Sequence, residues 1–221
     1  MLCMFNCPLC QCSTTQPYCI SDIQRSYFIC KTCSLVFAEP HTALTPQDEK
    51  SRYNLHQNNL EEKGYREYLK KMWVPLYSHL KKLQTKLGRP LVGLDFGCGP
   101  TQAFQQFALE LGIHVESYDP YFFAEQSVLE KKYDFIWCSE AFEHFNEPAG
   151  TISQIIQLLR TDGILAIRTE LYPQADQFAN WYYQRDPTHV SFYNESTMNW
   201  IALNWRLKLH LESNKVCFFN K

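Results

Sequence analysis

Apolar positions in this chain follow two spacings, and from residue 91 onward the two alternate. Residues 91–96 (LVGLDF) form a short apolar run of strand length, closed by Gly97, Cys98, Gly99 and Pro100. Phe104, Phe107, Ala108 and Leu111 then recur at helical spacing, with Pro100 where a helix would begin and Gly112 as its stop. Residues 114–118 read as a second strand ending at Asp119, and residues 133–138 (YDFIWC) as a strand apolar enough to be central. Residues 151–159 supply a helix, and Asp162-Gly163 turns into the strand GILAIRT. Residues 195–203 give one more helix, and residues 207–211 and 216–219 a closing hairpin. Upstream, Tyr65, Tyr68, Leu69, Met72, Trp73, Leu76, Leu80 and Leu83 make one apolar stripe over residues 64–87, with Pro75 as a candidate kink. Its lysines, 70, 71, 81, 82 and 86, fall outside the stripe as a solvated face.

Composition bounds this pattern without redirecting it. A chain of 221 residues, 45% hydrophobic and 20% charged, has room for one good core and a small appendage. No apolar run approaches the length of a membrane span. The first residues are cysteines and polar groups instead of a basic and apolar signal, so a cytoplasmic protein is expected. A net charge of −2 and a pI near 6.4 give no general attraction to nucleic acid.

The cysteines change the picture at the N-terminus. Cys3, Cys7, Cys10, Cys12, Cys19, Cys30 and Cys33 crowd the first 33 positions, which in a reducing compartment points to metal before disulfides. Cys7/Cys10 and Cys30/Cys33 form two CxxC pairs about twenty residues apart, the spacing of a closed four-thiolate zinc site that holds a fold and does no chemistry. YFIC and LVF beside the second pair read as short strands, so residues 1–40 are expected to form a zinc-ribbon-like module that needs its metal to fold. Cys3, Cys12 or Cys19 could replace one of the four ligands, and free cysteines or an iron–sulfur cluster are the competing readings. Residues 41–63 are a proline-rich and polar linker becoming helical, either a lid carrying Tyr53, His56 and Asn58 or a solvated connector.

The glycine turn carries the candidate cofactor chemistry. Glycines let a ligand lie against bare backbone, and unpaired N–H groups at the following helix start favour an anionic group. Asp119, about twenty residues on, is placed to accept hydrogen bonds from ribose hydroxyls. The NAD fingerprint G-x-G-x-x-G has Gln102 at its last glycine here.

LDFGCGPT, YDP, YDFIWCSEAFEHF and GILAIRT, in that order, resemble the successive motifs of class I S-adenosylmethionine-dependent methyltransferases. The resemblance implies an α/β, Rossmann-like sheet with helices on both faces and an antiparallel C-terminal hairpin, in a domain spanning residues 64–221. It implies cofactor contacts from Asp95, Gly97, Cys98, Gly99 and Thr101, from Asp119, Pro120 and Tyr121, from Cys138, Ser139 and Glu140 at the end of the central strand, and from Tyr53 in a lid. Thr101 stands where the family has a third glycine. Only thirteen residues separate Asp119 from the next strand, so a shortened third-strand region is expected, with adenine contacts drawn from Tyr121 or Phe122.

An aromatic insert over residues 171–194, with Trp181, Tyr182, Tyr183, Phe192 and Tyr193, is a natural acceptor pocket, and its DPTHV segment resembles that of small-molecule and sugar methyltransferases. His189 is the leading candidate base because an unperturbed imidazole titrates near neutral pH; the alternative is that Asp186, Thr188 and His189 brace one another in a turn. Glu140 and Glu143 are reserve bases, and His144 is a third catalytic candidate, usually structural in the resembling family. The expected function is methyl transfer from S-adenosylmethionine to a small molecule such as a sugar, an envelope precursor or another secondary metabolite. Two alternatives stand beside it. A zinc module before such a domain also resembles rRNA guanine-N1 methyltransferases, although their basic RNA footprint is missing here. A cofactor-binding partner without turnover is the other, with Thr101 as its hint.

Overall fold

A computed structural model describes residues 5–21, 25–55, 58–172 and 175–221. Cys3 and His56 lie outside the described residues. The N-terminal strands β1 (Thr15–Ile20), β2 (Ser26–Cys30) and β3 (Val36–Ala38) pair antiparallel as a meander. The segment read as a linker then forms α1 (Pro46–Tyr53), where Thr45 caps the Asp48 amide at 3.2 Å and Pro46 takes the first helical position. α2 (Lys63–Leu87) is the striped helix, continuous through Pro75, with Leu69, Met72, Trp73, Leu76, Leu80 and Leu83 buried.

The remaining elements are β4 (Val92–Phe96), α3 (Ala103–Glu110), β5 (His114–Tyr118), β6 (Tyr133–Ser139), α4 (Pro148–Leu158), β7 (Leu159–Arg168), α5 (Ala175–Phe178), β8 (Ser191–Phe192), α6 (Glu195–Asn204), β9 (Lys208–Leu211) and β10 (Val216–Asn220). The main sheet has the order β5-β4-β6-β7-β10-β9; its first four strands are parallel, and β10 runs antiparallel to both neighbours. Residues 120–132 hold a 3-10 turn at Gln126–Glu130 and no strand, so β5 is the sheet edge, as the short spacing predicts.

Alternating side chains of β6 divide the core. Phe135 and Trp137 pack with α2 and α3, and the Trp137 ring stacks on Phe104 at 3.9 Å. Ile136 and Cys138 face the opposite layer, where α4, α6 and the N-terminal residues Leu9, Leu35 and Phe37 cover the sheet. Helices therefore lie on both faces, and the N-terminal meander adds to one of them. β3 also pairs with β8, which makes a second sheet of order β1-β2-β3-β8 from the two ends of the sequence.

One buried ion pair fixes the base of the central strands. Asp134 on β6 is 1% exposed and accepts from Arg89 at 2.6 and 2.8 Å, Arg160 at 2.9 Å and the Val92 amide at 2.9 Å. Burial alone would raise its pKa, but the Arg89 guanidinium, the Val92 amide and Arg160 hold it below its ordinary 3.8. A depressed carboxyl pKa gives stability that is present above the unfolded value near 4 and lost as pH falls through the folded one. Asp134→Asn is expected to cost about 2 kcal/mol at pH 7, less than a fully buried pair because both guanidiniums are near 40% exposed. Urea unfolding measures this, and the gap to the wild type should close as pH is taken below about 4.

Candidate functional site

The carboxyl ends of β4, β5 and β6 open into one cavity of about 850 Å3. At its floor the turn after β4 is fastened to β5, with the Gly97 and Cys98 amides donating to the Tyr118 carbonyl at 2.8 and 3.2 Å. Gly97 has φ +81°, and a Cβ there would stand 2.8 Å from that of Ala141. The first helical residue is Ala103, three positions later than Pro100, because Gln102 takes a left-handed conformation (φ +48°) and delays the helix.

Two carboxyls face this floor in different states. Asp119 accepts from the amides of Gly99 (3.0 Å), Tyr121 (2.8 Å) and Phe122 (3.3 Å), which leaves one of its roughly four acceptor positions for a ligand. Burial nevertheless raises its pKa. Asp95 is 4% exposed and has no hydrogen bond or ion pair among the described residues; burial, then the charge of Asp119, pushes its pKa well up. A cationic ligand group would relieve that cost.

α1 closes one wall. Tyr121 donates through its hydroxyl to Glu49, whose Oε1 is buried without a partner among the described residues. Tyr53 sits between Tyr121 and His144, at ring distances of 5.8 and 5.3 Å. Arg52 makes a paired bond to both oxygens of Asp186 at 3.0 and 3.2 Å.

The opposite wall is a polar network. Glu140, in a left-handed conformation (φ +50°) just beyond β6, accepts from Arg168 Nε (3.1 Å) and the Tyr68 hydroxyl (3.1 Å), and lies 2.9 Å from the Tyr183 hydroxyl. That hydroxyl donates to Glu143, which is fully buried; burial, then the charge of Glu140, drives its pKa well up. His144 Nδ1 lies 3.1 Å from the Thr188 carbonyl and His189 Nδ1 2.6 Å from the Tyr183 carbonyl, with the two rings 4.8 Å apart. Burial, then His144, lowers the His189 pKa to about 3, so the ordinary imidazole value assumed from sequence does not hold in the folded chain. Asp186, Thr188 and His189 do brace one another: Thr188 donates twice to Asp186 Oδ1, at 3.0 and 2.7 Å, and the His189 amide donates to the Asp186 carbonyl at 3.0 Å. Burial would raise the Asp186 pKa, but Arg52 and Thr188 bring it well below the usual carboxylate range.

Of the residues proposed from sequence, Tyr53, Asp95, Gly97, Cys98, Gly99, Asp119, Pro120, Tyr121, Ser139, Glu140, His144 and His189 all line the cavity. Thr101 and Cys138 do not. Cys138 alternates with Trp137 and so points into the opposite core layer, and the Thr101 hydroxyl is buried beside the delayed helix start. Phe122 is also off the lining, its ring under Lys50 at 5.4 Å. Sequence reasoning missed Glu49, Tyr65, Tyr68, Phe104 and Trp137 as lining residues. The two tyrosines belong to the stripe read as core, and a hydroxyl at a stripe edge was the available signal. Glu49 carries none.

Outside the cavity, one sulfur from each of Cys7, Cys10, Cys30 and Cys33 lies within 4.8 Å of the others, with 3.5 Å between Cys7 and Cys33 and 3.4 Å between Cys10 and Cys30. The two CxxC turns are built alike: Gln11 and Ser34, each four residues after the first cysteine, have φ of +61° and +60° and donate back to the Cys7 and Cys30 carbonyls at 2.9 Å. Cys12 and Cys19 stay out of this cluster.

An open sheet of parallel strands with a glycine turn and an acidic residue at adjacent strand ends defines a Rossmann-like domain. A family model described as a methyltransferase domain matches residues 65–209, more than half of the chain. The chain belongs to that methyltransferase family. It is 29% identical over 99 residues to a ubiquinone biosynthesis O-methyltransferase of Pasteurella multocida, covering 41% of each protein. Over 45 residues it is 38% identical to a malonyl-[acyl-carrier protein] O-methyltransferase of Acetivibrio thermocellus, covering 20% of this chain and 16% of that one. The matches thus span about two fifths or less of the length of these relatives. Among solved structures, a 1,6-didemethyltoxoflavin-N1-methyltransferase of Burkholderia thailandensis aligns over 93% of this chain and 99% of its own at 17% identity, with a TM-score of 0.48.

The turn makes a prediction that needs no ligand. Gly97→Ala adds a steric clash to an unfavourable φ, so it should destabilise by about 2 kcal/mol or more, whereas Gly99→Ala (φ +65°, open space at its Cβ) should cost only the strain of about 1 kcal/mol. Thermal or urea unfolding of the two variants should rank them in that order.

Proposed function

We propose that this protein transfers a methyl group from S-adenosylmethionine to a hydroxyl-bearing small molecule, a sugar, envelope precursor or other secondary metabolite. The observation that carries this reading is the cavity floor, where bare glycine backbone, a ribose-accepting Asp119 and the uncompensated Asp95 meet. Asp119 would take the ribose hydroxyls, and Asp95 would face the positive charges of the methionine end. The donor brings a methyl group that is already electrophilic on a sulfonium, so the chain has to align a nucleophile and exclude water. Tyr53 and Glu49 on α1 would cover the donor, and Ser139, Glu140, His144 and His189 would surround the acceptor.

The relatives' names, both O-methyltransferases, support an oxygen acceptor. The lining argues against a nucleic-acid phosphate chain: among the described residues it contains Glu49, Asp95, Asp119, Glu140, Glu147 and Asp186 and neither lysine nor arginine. A proton acceptor would come from His189, Glu140 or His144. At a pKa of about 3 His189 is neutral and can accept, though weakly.

The four-cysteine cluster is read as a structural zinc site. Sulfurs at the corners of a tetrahedron around zinc lie about 3.8 Å apart, which the separations of 3.4 to 4.8 Å accommodate. The matched CxxC turns aim all four at one point, with no position left for chemistry. Elemental analysis should find about one zinc per chain and no iron, and Cys30→Ser should lose the metal and lower the melting temperature.

Incubation of the purified chain with methyl-labelled donor and a cell metabolite extract tests the activity. A labelled product that survives ribonuclease is expected; label confined to RNA would reject the small-molecule reading. In the same preparation Asp119→Ala should weaken S-adenosylhomocysteine binding at least about tenfold by calorimetry, as loss of one hydrogen bond from ribose to a charged carboxylate requires.

A further inference from the structure

Next to the expected acceptor position, Glu143, His144 and His189 bring one carboxylate oxygen and two ring nitrogens within 4.8 Å of one another. We propose that these three side chains bind a divalent transition-metal ion, which holds the acceptor through its oxygen atoms. This deepens the methyltransferase reading, with Glu140 then the proton acceptor among the three named above, and rests on it for the identity of the bound oxygen, but not for the metal.

Two histidines and one carboxylate are a recurrent donor set for Zn2+ and Fe2+, and three protein ligands leave positions open for water or substrate. His144 and His189 line the cavity, so the open positions face it, while Glu143 lies fully buried behind them. The orientation of the rings fits this role. A carbonyl only accepts, so each Nδ1, on Thr188 and Tyr183 respectively, is the protonated nitrogen, and in a neutral imidazole the lone pair able to ligate is then on Nε2. Backbone bonds fix the ligands against one another: the Val190 amide donates to the Glu143 carbonyl at 2.8 Å, and the Tyr193 hydroxyl to the Phe142 carbonyl at 3.0 Å.

The second, independent observation is an orphan atom. Glu143 Oε1 receives the Tyr183 hydroxyl, but Oε2 is buried with no hydrogen-bond partner among the described residues. A completely buried carboxyl with one bare oxygen is costly unless something positive meets it, and a metal ion supplies that charge. Ligands of one ion at about 2.1 Å sit about 3.4 Å apart, so binding would draw the three side chains inward from their present separations of up to 4.8 Å. The acceptor class follows from the open positions. A molecule with two adjacent oxygens, as in vicinal hydroxyls or a hydroxy-acid, chelates the ion, and a hydroxyl so bound is more acidic than in water.

Cobalt(II) titration of the full-length, zinc-loaded chain, read by visible absorption, tests the site. One equivalent should bind with the weak ligand-field bands of nitrogen and oxygen coordination and no thiolate charge-transfer band. His144→Gln and Glu143→Gln should each abolish that uptake at equimolar metal, while S-adenosylhomocysteine binding, measured by calorimetry on the same samples, stays within about threefold of the wild type. Absence of cobalt binding to the wild type, a thiolate band, or equal uptake by both variants would overturn the proposal. Should either variant fail to fold, the wild-type titration decides alone. Failure of the methyltransferase reading is separate: it would show as no calorimetric heat with S-adenosylhomocysteine whatever the cobalt result.

Discussion

The antiparallel pairing of β3 with β8 joins the two ends of the chain into one wall behind the cavity. Val36 pairs with Phe192 and Phe37 with Ser191, the Ala38 amide donates to the Val190 carbonyl at 2.9 Å, and Arg25 donates to the His189 carbonyl at 2.9 Å. Tyr27 adds a hydroxyl bond to the Gln184 carbonyl at 3.0 Å, inside a small apolar cluster that also holds Phe178, Tyr183 and Phe192. The cysteine-rich meander is therefore the support on which the aromatic insert is laid. Whatever stabilises its CxxC turns also fixes the backbone of His189. That link gives the four-cysteine cluster a mechanical part in shaping the cavity wall.

Carboxyl groups around the cavity fall into two kinds, and the difference shows where ligands belong. Asp119 is satisfied by three backbone amides, Asp186 by Arg52 and Thr188, and Glu140 by Arg168 and the Tyr68 hydroxyl. Asp95 has no such partner for its carboxyl, and Glu49 and Glu143, each held by one tyrosine hydroxyl, keep a second buried oxygen without a partner among the described residues. In a medium of low polarity an uncompensated carboxyl takes up a proton or a cation. Asp95 lies at the floor beside the glycine turn and Glu49 on the α1 wall, with Glu143 buried next to His144 and His189.

Loss of the third strand has a structural consequence as well. With residues 120–132 reduced to a 3-10 turn, β5 is the sheet edge, and α1 folds across that side instead. Tyr121 and Glu49 tie the two segments together, and Arg52 reaches on to Asp186 in the insert. α1 thus bridges the segment after β5 and the insert across the cavity.

Local pattern alone determined a large part of this. Strands β4, β5, β6 and β10, helices α2, α3, α4 and α6, the glycine turn, Asp119 and both CxxC pairs are legible because each is set by local spacing, where side-chain period and turn stereochemistry act directly. Thr101 and Cys138 fall off the cavity lining, since one left-handed residue at Gln102 and the alternation of β6 decide where those side chains point. Only the tertiary structure brought Glu143 and His144 against His189, 45 residues away, set β3 beside β8, and took the His189 pKa far from its free value. Those outcomes depend on burial and on which distant surfaces fit, and neither leaves a periodic trace in the chain.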